Sequence, residues 1–208
     1  LQDRFHLVTG RHHIRRLMAE MGLETTYPKP NTSRAHPANA IYPYLLRNIV
    51  AHAPNHIWGT DITYIPLRNG FCYLVALLDW YSRAVVHWEL SPTLEIAFCL
   101  ENLERALSRA TPEIHNSDQG SHFTSPQYTD LLKAQQVAIS MDGRGRCMDN
   151  IFTERLWRTI KYEDIYLKGY ASFADVKAGL TDYLRFYNEK RRHSSLENRT
   201  PWDVYTHG

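Results

Sequence analysis

The chain has 208 residues, 43% of them hydrophobic, 12% aromatic and 22% charged, with a formal net charge of +2. That composition can bury a sizeable core and excludes a largely disordered chain, and the longest apolar run, Phe71 to Leu78, is far below the roughly 20 residues of a membrane-spanning helix. Three cysteines, Cys72, Cys99 and Cys147, are odd in number and form no CxxC pair, which argues against a disulfide framework or a thiolate zinc site and fits a reducing cytoplasm.

The opening LQDRFHLVTG has no apolar stretch bounded by a small-residue cleavage site, so no secretory signal is expected, and Leu1 in place of methionine points to a fragment or a mis-started reading frame. Residues 11–22 read as a short helix, with Ile14, Leu17, Met18 and Met21 at helical spacing and Gly22 placed to end it. Five of the ten prolines (Pro28, Pro30, Pro37, Pro43 and Pro54) fall between Tyr27 and Asn55, which predicts an extended linker. Three strands follow, HIWGTDITYIPL, FCYLVALLDW and RAVVHWEL; the separators Arg68-Asn69-Gly70 and Tyr81-Ser82-Arg83 are short enough for an antiparallel meander. Residues 93–109 predict a helix burying Leu94, Ala97, Phe98, Leu100, Leu103 and Leu107. The short strand EIHNSD ends in a glycine-containing loop, then a helix around 126–135 precedes the strand VAISM. The turn-rich GRGRC leads into a long helix from about Asp149 to Tyr166. A last helix begins at Ser172, which can form a capping box with Asp175, and buries Phe173, Val176, Leu180, Tyr183, Leu184 and Tyr187. This order predicts an α/β fold whose mixed five-stranded sheet, three antiparallel strands plus two parallel, is flanked by helices.

Charge is unevenly distributed. Residues 1–56 hold seven basic against three acidic side chains and six of the eleven histidines, residues 57–140 five against nine, and residues 141–208 twelve against ten. A basic front, an acidic middle and an arginine-rich tail suit a polyanion held around a site that concentrates carboxylates; charge solvated without function gives the same counts.

Three carboxylates stand out by context. Asp61 lies inside the first strand, where an isolated charge is costly unless it is paired or bound to metal. Asp118 ends the fourth strand before Gln119-Gly120, a loop that lets the backbone approach a ligand. On the long helix Asn150, Glu154, Trp157, Arg158 and Lys161 share one face, with Phe152, Leu156 and Ile160 opposite. An oxygen-only carboxylate set suits Mg²⁺ or Mn²⁺, and two such ions about 4 Å apart can activate an attacking oxygen and stabilise a leaving one in phosphoryl transfer. Structural salt bridges or surface positions remain the plainer alternative for each acid taken singly.

The motifs WGTDITYIPL, HNSDQGSHFTS and MDNIFTERLWRTIKYE, with the closing YNEKRRHSSLENRTPWDVY, resemble the catalytic core of bacterial insertion-sequence transposases of the retroviral-integrase type, insertion-sequence family three. Thirty-five residues separate Asp118 from Glu154, as in that family's Asp-Asp-Glu triad, and Lys161 matches its lysine seven residues further on. The resemblance covers about residues 11–205. It implies a ribonuclease-H-like core in which Asp61, Asp118 and Glu154 gather to bind two Mg²⁺ or Mn²⁺ ions, cleave at the element's ends to free a 3′-hydroxyl and join it to target DNA, with no covalent protein–DNA intermediate. Its implied domains are a truncated helix-turn-helix remnant at 1–26, a proline-rich linker at 27–55, the catalytic core at 56–168, and a C-terminal helix with basic tail at 169–208. Its implied partners are DNA, further copies of the chain on that DNA, and a helix-turn-helix protein from an upstream reading frame, in a bacterial, nucleoid-associated cytoplasmic setting without a membrane. A nuclease that hydrolyses without joining, and an inactive nucleic-acid-binding remnant, stay open beside this.

Further cations are candidates for DNA. Lys161 and Arg158 lie beside Glu154, Arg144 and Arg146 flank Gly145 just before the catalytic helix, and Lys190, Arg191 and Arg192 follow the last helix, where they either grip phosphates or cap a solvated end. Trp58 and Trp157 either stack on bases or pack in the core, with the core favoured for Trp58. His12, His13, His36, His52 and His56 have no cysteine companions for a zinc module.

Overall fold

The computed structural model describes residues 10–21, 39–68, 70–143 and 151–208. The chain divides into two compact units, Leu1–Arg34 and Ala35–Gly208. In the first, helix α1 (Arg11–Glu20) starts where the Gly10 carbonyl accepts the N–H groups of His13 and Ile14. The rest of the expected helix-turn-helix remnant lies outside the described residues.

The second unit is organised by β2 (Gly70–Asp79), the middle of an antiparallel trio with β1 (Ile57–Leu67) and β3 (Val85–Ser91). Its run FCYLVALL does not alternate because both faces are covered. Leu74, Ala76 and Leu78 enter one core with Ile65, Leu156, Ile160, Val176 and Leu180; Val75 and Leu77 enter the other with Trp58, Phe98, Leu103, Tyr128 and Ile139. β4 (Ile114–Ser117) pairs parallel to β1, and β5 (Ala138–Met141) parallel to β4, giving the order β3-β2-β1-β4-β5, the expected mixed sheet. Helices α2 (Ala97–Leu107) and α3 (Pro126–Ala134) make the two parallel crossovers; α3 opens with Pro126 behind an N-cap Ser125 that accepts the Tyr128 N–H.

The opposite face is covered by α4 (Ile151–Ile160) and α5 (Phe173–Glu189). α4 continues through a π-helical turn, Lys161–Ile165, into a last short turn, Tyr166–Lys168. Ser172 and Asp175 form the expected capping box at the start of α5. Among the described residues no helix is long and apolar enough to cross a membrane.

Two stretches differ from the sequence expectation. Residues 39–55 of the expected linker are extended but docked: the N–H groups of Ala40, Tyr42 and Leu45 donate to the Thr124 carbonyl, Met141 Sδ and Ser140 Oγ, and Leu46 is buried with Ile57 and Trp80. Apolar side chains between the prolines give this strap a core to bind. α5 closes the core as expected, but the tail after it is also built into the body: a final helix α6 (Pro201–His207), which the sequence reading does not foresee, ties Tyr205 OH to Asn55 Oδ1 at 2.6 Å.

Candidate active site

β1 alternates, so Asp61, Thr63 and Ile65 share the face that α4 covers. Asp61 is half-buried there; its Oδ2 accepts the Trp157 Nε1–H at 2.9 Å and its Oδ1 the N–H of Ile62 at 2.8 Å. Burial pushes the Asp61 carboxyl up from 3.8 to about 6, against the two hydrogen bonds, and the nearby charges of Asp118 and Glu154 push the same way. β1 and β4 pair through Gly59 and Asn116, so Asp61 and Asp118, each two residues further along, sit at the same end of adjacent strands.

Asp118 follows β4 and is exposed. Its Oδ1 accepts the Gly120 N–H at 2.9 Å, and a Cβ at Gly120 would stand 2.8 Å from that oxygen and push the exposed carboxylate aside. Asp142 anchors the loop: its carboxylate accepts from Asn116 Nδ2, its carbonyl from Gln119 Nε2, and its N–H donates to Ser117. Glu154 lies exposed in the first turn of α4. One helix stretch further, Lys161 Nζ donates to Thr63 Oγ1 at 2.8 Å, half-buried beside Asp61; burial draws its pKa down and the Asp61 charge partly restores it.

Asp61 thus senses the other two carboxylates, but the three do not form a closed cage. Among the described residues no three His, Cys, Asp or Glu side chains stand close enough together to hold a metal ion. Like charges repel, and Asp118 is turned back onto its own loop. As donors, oxygen-only carboxylates with charges coupled across β1, β4 and α4 are the chemistry that fits Mg²⁺ or Mn²⁺.

Other expected site residues divide. Arg158 and Lys190 are exposed; Arg192 is exposed and donates to the Asn198 carbonyl; Arg144 and Arg146 lie outside the described residues. Arg191 is engaged by Glu163, to which its Nε donates at 2.8 Å, and that guanidinium draws the Glu163 carboxyl below its usual range. Trp58 is a core residue as favoured. Trp157 is a correction: it does not stand on the open face with Glu154 but is 6% exposed, with its indole turned under Asp61, and has no face free for a base. Phe152, placed on the core stripe, is half-buried beneath the Arg83 guanidinium and against Trp80. Thr63 is the site residue that sequence reasoning missed, and the hydrogen bond of Trp157 to Asp61 is a role it did not foresee. The period of two in β1 signals Thr63; for Trp157, ninety-six positions from Asp61, no local signal exists.

The integrase core domain family matches residues 51–147 and again residues 135–201. The transposase of insertion sequence element IS904 from Lactococcus lactis is 31% identical over 205 residues, covering 95% of this chain and 81% of that protein. The chain belongs to the insertion-sequence transposases with an integrase core domain. The transposase of element IS629 from Shigella sonnei is also 31% identical, over 90% of this chain and 65% of its own length, and transposase InsF of IS3A from Escherichia coli is 32% identical over 83% and 61%. This transposase chain therefore spans less than two thirds of those last two relatives. Among solved structures, a chain of the simian T-cell lymphotropic virus intasome superposes with a TM-score of 0.66 at 18% identity, over 84% of this chain and 61% of that one. The HTLV-2 integrase catalytic core domain, solved with magnesium, gives 0.61 at 20% identity, over 75% and 99%. These establish the ribonuclease-H-like fold expected for the transposase.

Proposed function

We propose that this chain is the catalytic part of a DNA transposase, a polynucleotidyl transferase that cleaves phosphodiesters at element ends and joins the freed 3′-hydroxyl to target DNA. The observation that carries this is the coupling of Asp61 to Asp118 on the neighbouring strand and to Glu154 on the facing helix. Asp61, Asp118 and Glu154 would hold two Mg²⁺ or Mn²⁺ ions, which supply Lewis-acid activation of the attacking oxygen and charge stabilisation at the leaving oxygen. The magnesium of the HTLV-2 core supports that choice.

The chain's own groups have separable tasks. Trp157 fixes the Asp61 carboxylate in one orientation, Asp118 exchanges the Gly120 N–H for the substrate side, and Glu154 closes from the exposed first turn of α4. Lys161, held over Thr63, presents its ammonium to the scissile phosphate, and Arg158, Arg144, Arg146, Lys190 and Arg192 add phosphate contacts. Copies of the chain assemble on DNA, a reading supported by the dimeric form of the HTLV-2 core. Recognition of the element's ends belongs to a helix-turn-helix segment, either the 1–26 region or an upstream-frame partner, joined to the core (56–168) and C-terminal region (169–208) through 27–55, in the bacterial nucleoid.

The test is an incubation of the chain with Mg²⁺, labelled element-end duplexes and a target plasmid. Joined products support the reading. Nicks without joining would leave a nuclease, and no DNA product under any divalent ion would contradict both.

A further inference from the structure

Beyond Glu154, the solvent face of α4 carries aromatic rings and, in Arg155, a cation that the proposed chemistry leaves unused, next to Arg158. Arg155 and Arg158 are exposed, and neither has an ion-pair partner among the described residues. One and two turns further on, Tyr162 and Tyr166 are 66% and 54% exposed, their rings meeting edge to face at 5.3 Å. A spacing of four residues along the helix sets the two rings side by side. In the π-helical turn the Tyr166 N–H reaches back to the Lys161 carbonyl, while Asp164 and Ile165 enter the core. The acids that would repel a polyanion are already matched, Glu163 by Arg191 and Asp164 by Lys168 and Tyr170.

Two large rings side by side in water mark a contact surface, and the guanidinium groups next to them select its charge. We propose that Tyr162 and Tyr166 form a stacking platform for unpaired bases of a single DNA strand whose phosphates are held by Arg155 and Arg158. Bases offer flat apolar faces to tyrosine rings whatever their sequence, and the strand's phosphates match the adjacent arginines. Eight residues of helix separate Glu154 from Tyr162, about 12 Å along the axis, so the platform takes bases a few nucleotides from the phosphate at the carboxylates. The inference rests on the DNA-transposase reading and adds to it the form of DNA engaged, a frayed or displaced strand beside duplex.

The experiment is fluorescence anisotropy on the full chain with three probes: a blunt duplex, the same duplex with a single-stranded thymidine extension, and that extension with abasic sites in place of its bases. The wild type binds the thymidine extension roughly tenfold or more tightly than the abasic one. Tyr162→Ala with Tyr166→Ala abolishes that preference and leaves blunt-duplex affinity and thermal stability unchanged, whereas the corresponding pair of Phe substitutions retains it. Equal affinity of the wild type for the two extensions overturns the proposal, as does a loss in the Ala variant that is the same for all three probes. An Ala variant that keeps the preference but sediments as a smaller species assigns the rings to a contact between copies and also overturns it. If the wild type binds no probe, the DNA reading itself fails and the platform with it; loss of the base preference alone leaves that reading intact.

Discussion

Asp61 is where the cost of the site is concentrated. A carboxyl raised from 3.8 to about 6 has its ionised form disfavoured by about 3 kcal/mol in the folded state. Because the folded value lies above the unfolded one, the protein is free of this penalty below about pH 4 and loses that stability as pH rises through 6. Asp61→Asn should therefore melt like the wild type near pH 4 and several degrees higher at pH 7.5 in the absence of divalent ions, as measured by thermal denaturation across that range. Added Mg²⁺ should narrow the gap at pH 7.5 by stabilising only the wild type; an Asp61→Asn protein less stable than wild type at neutral pH would contradict the burial argument. At this scale motif context in the sequence singles out Asp61, Asp118, Glu154 and Lys161 for the proposed site. The sequence was not legible for Trp157 or Arg191. A helical wheel separates faces without saying what each face meets, and the acid that engages Arg191 lies twenty-eight positions earlier, at Glu163.

Among the elements, α4 has to be held at a fixed height over β1 for Glu154 to serve Asp61. Gly59 sets that height. A Cβ there would collide with Trp80 Nε1 and stand 3.2 Å from Thr153 Oγ1, the residue before Glu154, and both of those atoms are buried with no hydrogen-bond partner among the described residues. Gly59→Ala is expected to cost about 1–3 kcal/mol as an overpacked contact and to lower joining activity beyond that loss, because the first turn of α4 must shift. Urea denaturation beside the strand-transfer assay checks both; unchanged stability and activity would show that the neighbours yield freely. Strand and helix positions followed from local patterning, since β1 alternates, β2 is apolar throughout and α5 carries its own capping box. The π-helical turn, α6 and the docking of residues 39–55 did not, because each depends on partners far away in the chain, such as Thr63 for Lys161, Asn55 for Tyr205 and Ser140 for Leu45.

For the molecule as a whole, the parallel placement of β4 against β1 turns two carboxylates fifty-seven positions apart into neighbours, and α4 brings the third. Along the sequence a basic front and an arginine-rich tail bracket an acidic middle, a charge order that suits a polyanion held around carboxylates. The central claim is that Asp61, Asp118 and Glu154 act together as the metal-holding set of one phosphoryl-transfer site. The most direct measurement is strand joining with Mg²⁺ by Asp61→Asn, Asp118→Asn and Glu154→Gln, each compared with wild type in the same reaction and each checked for fold by circular dichroism and for duplex affinity by anisotropy. All three substitutions are predicted to abolish cleavage and joining while leaving fold and most DNA affinity in place. Joining that persists near the wild-type rate in any one of them would remove that residue from the site and contradict the account.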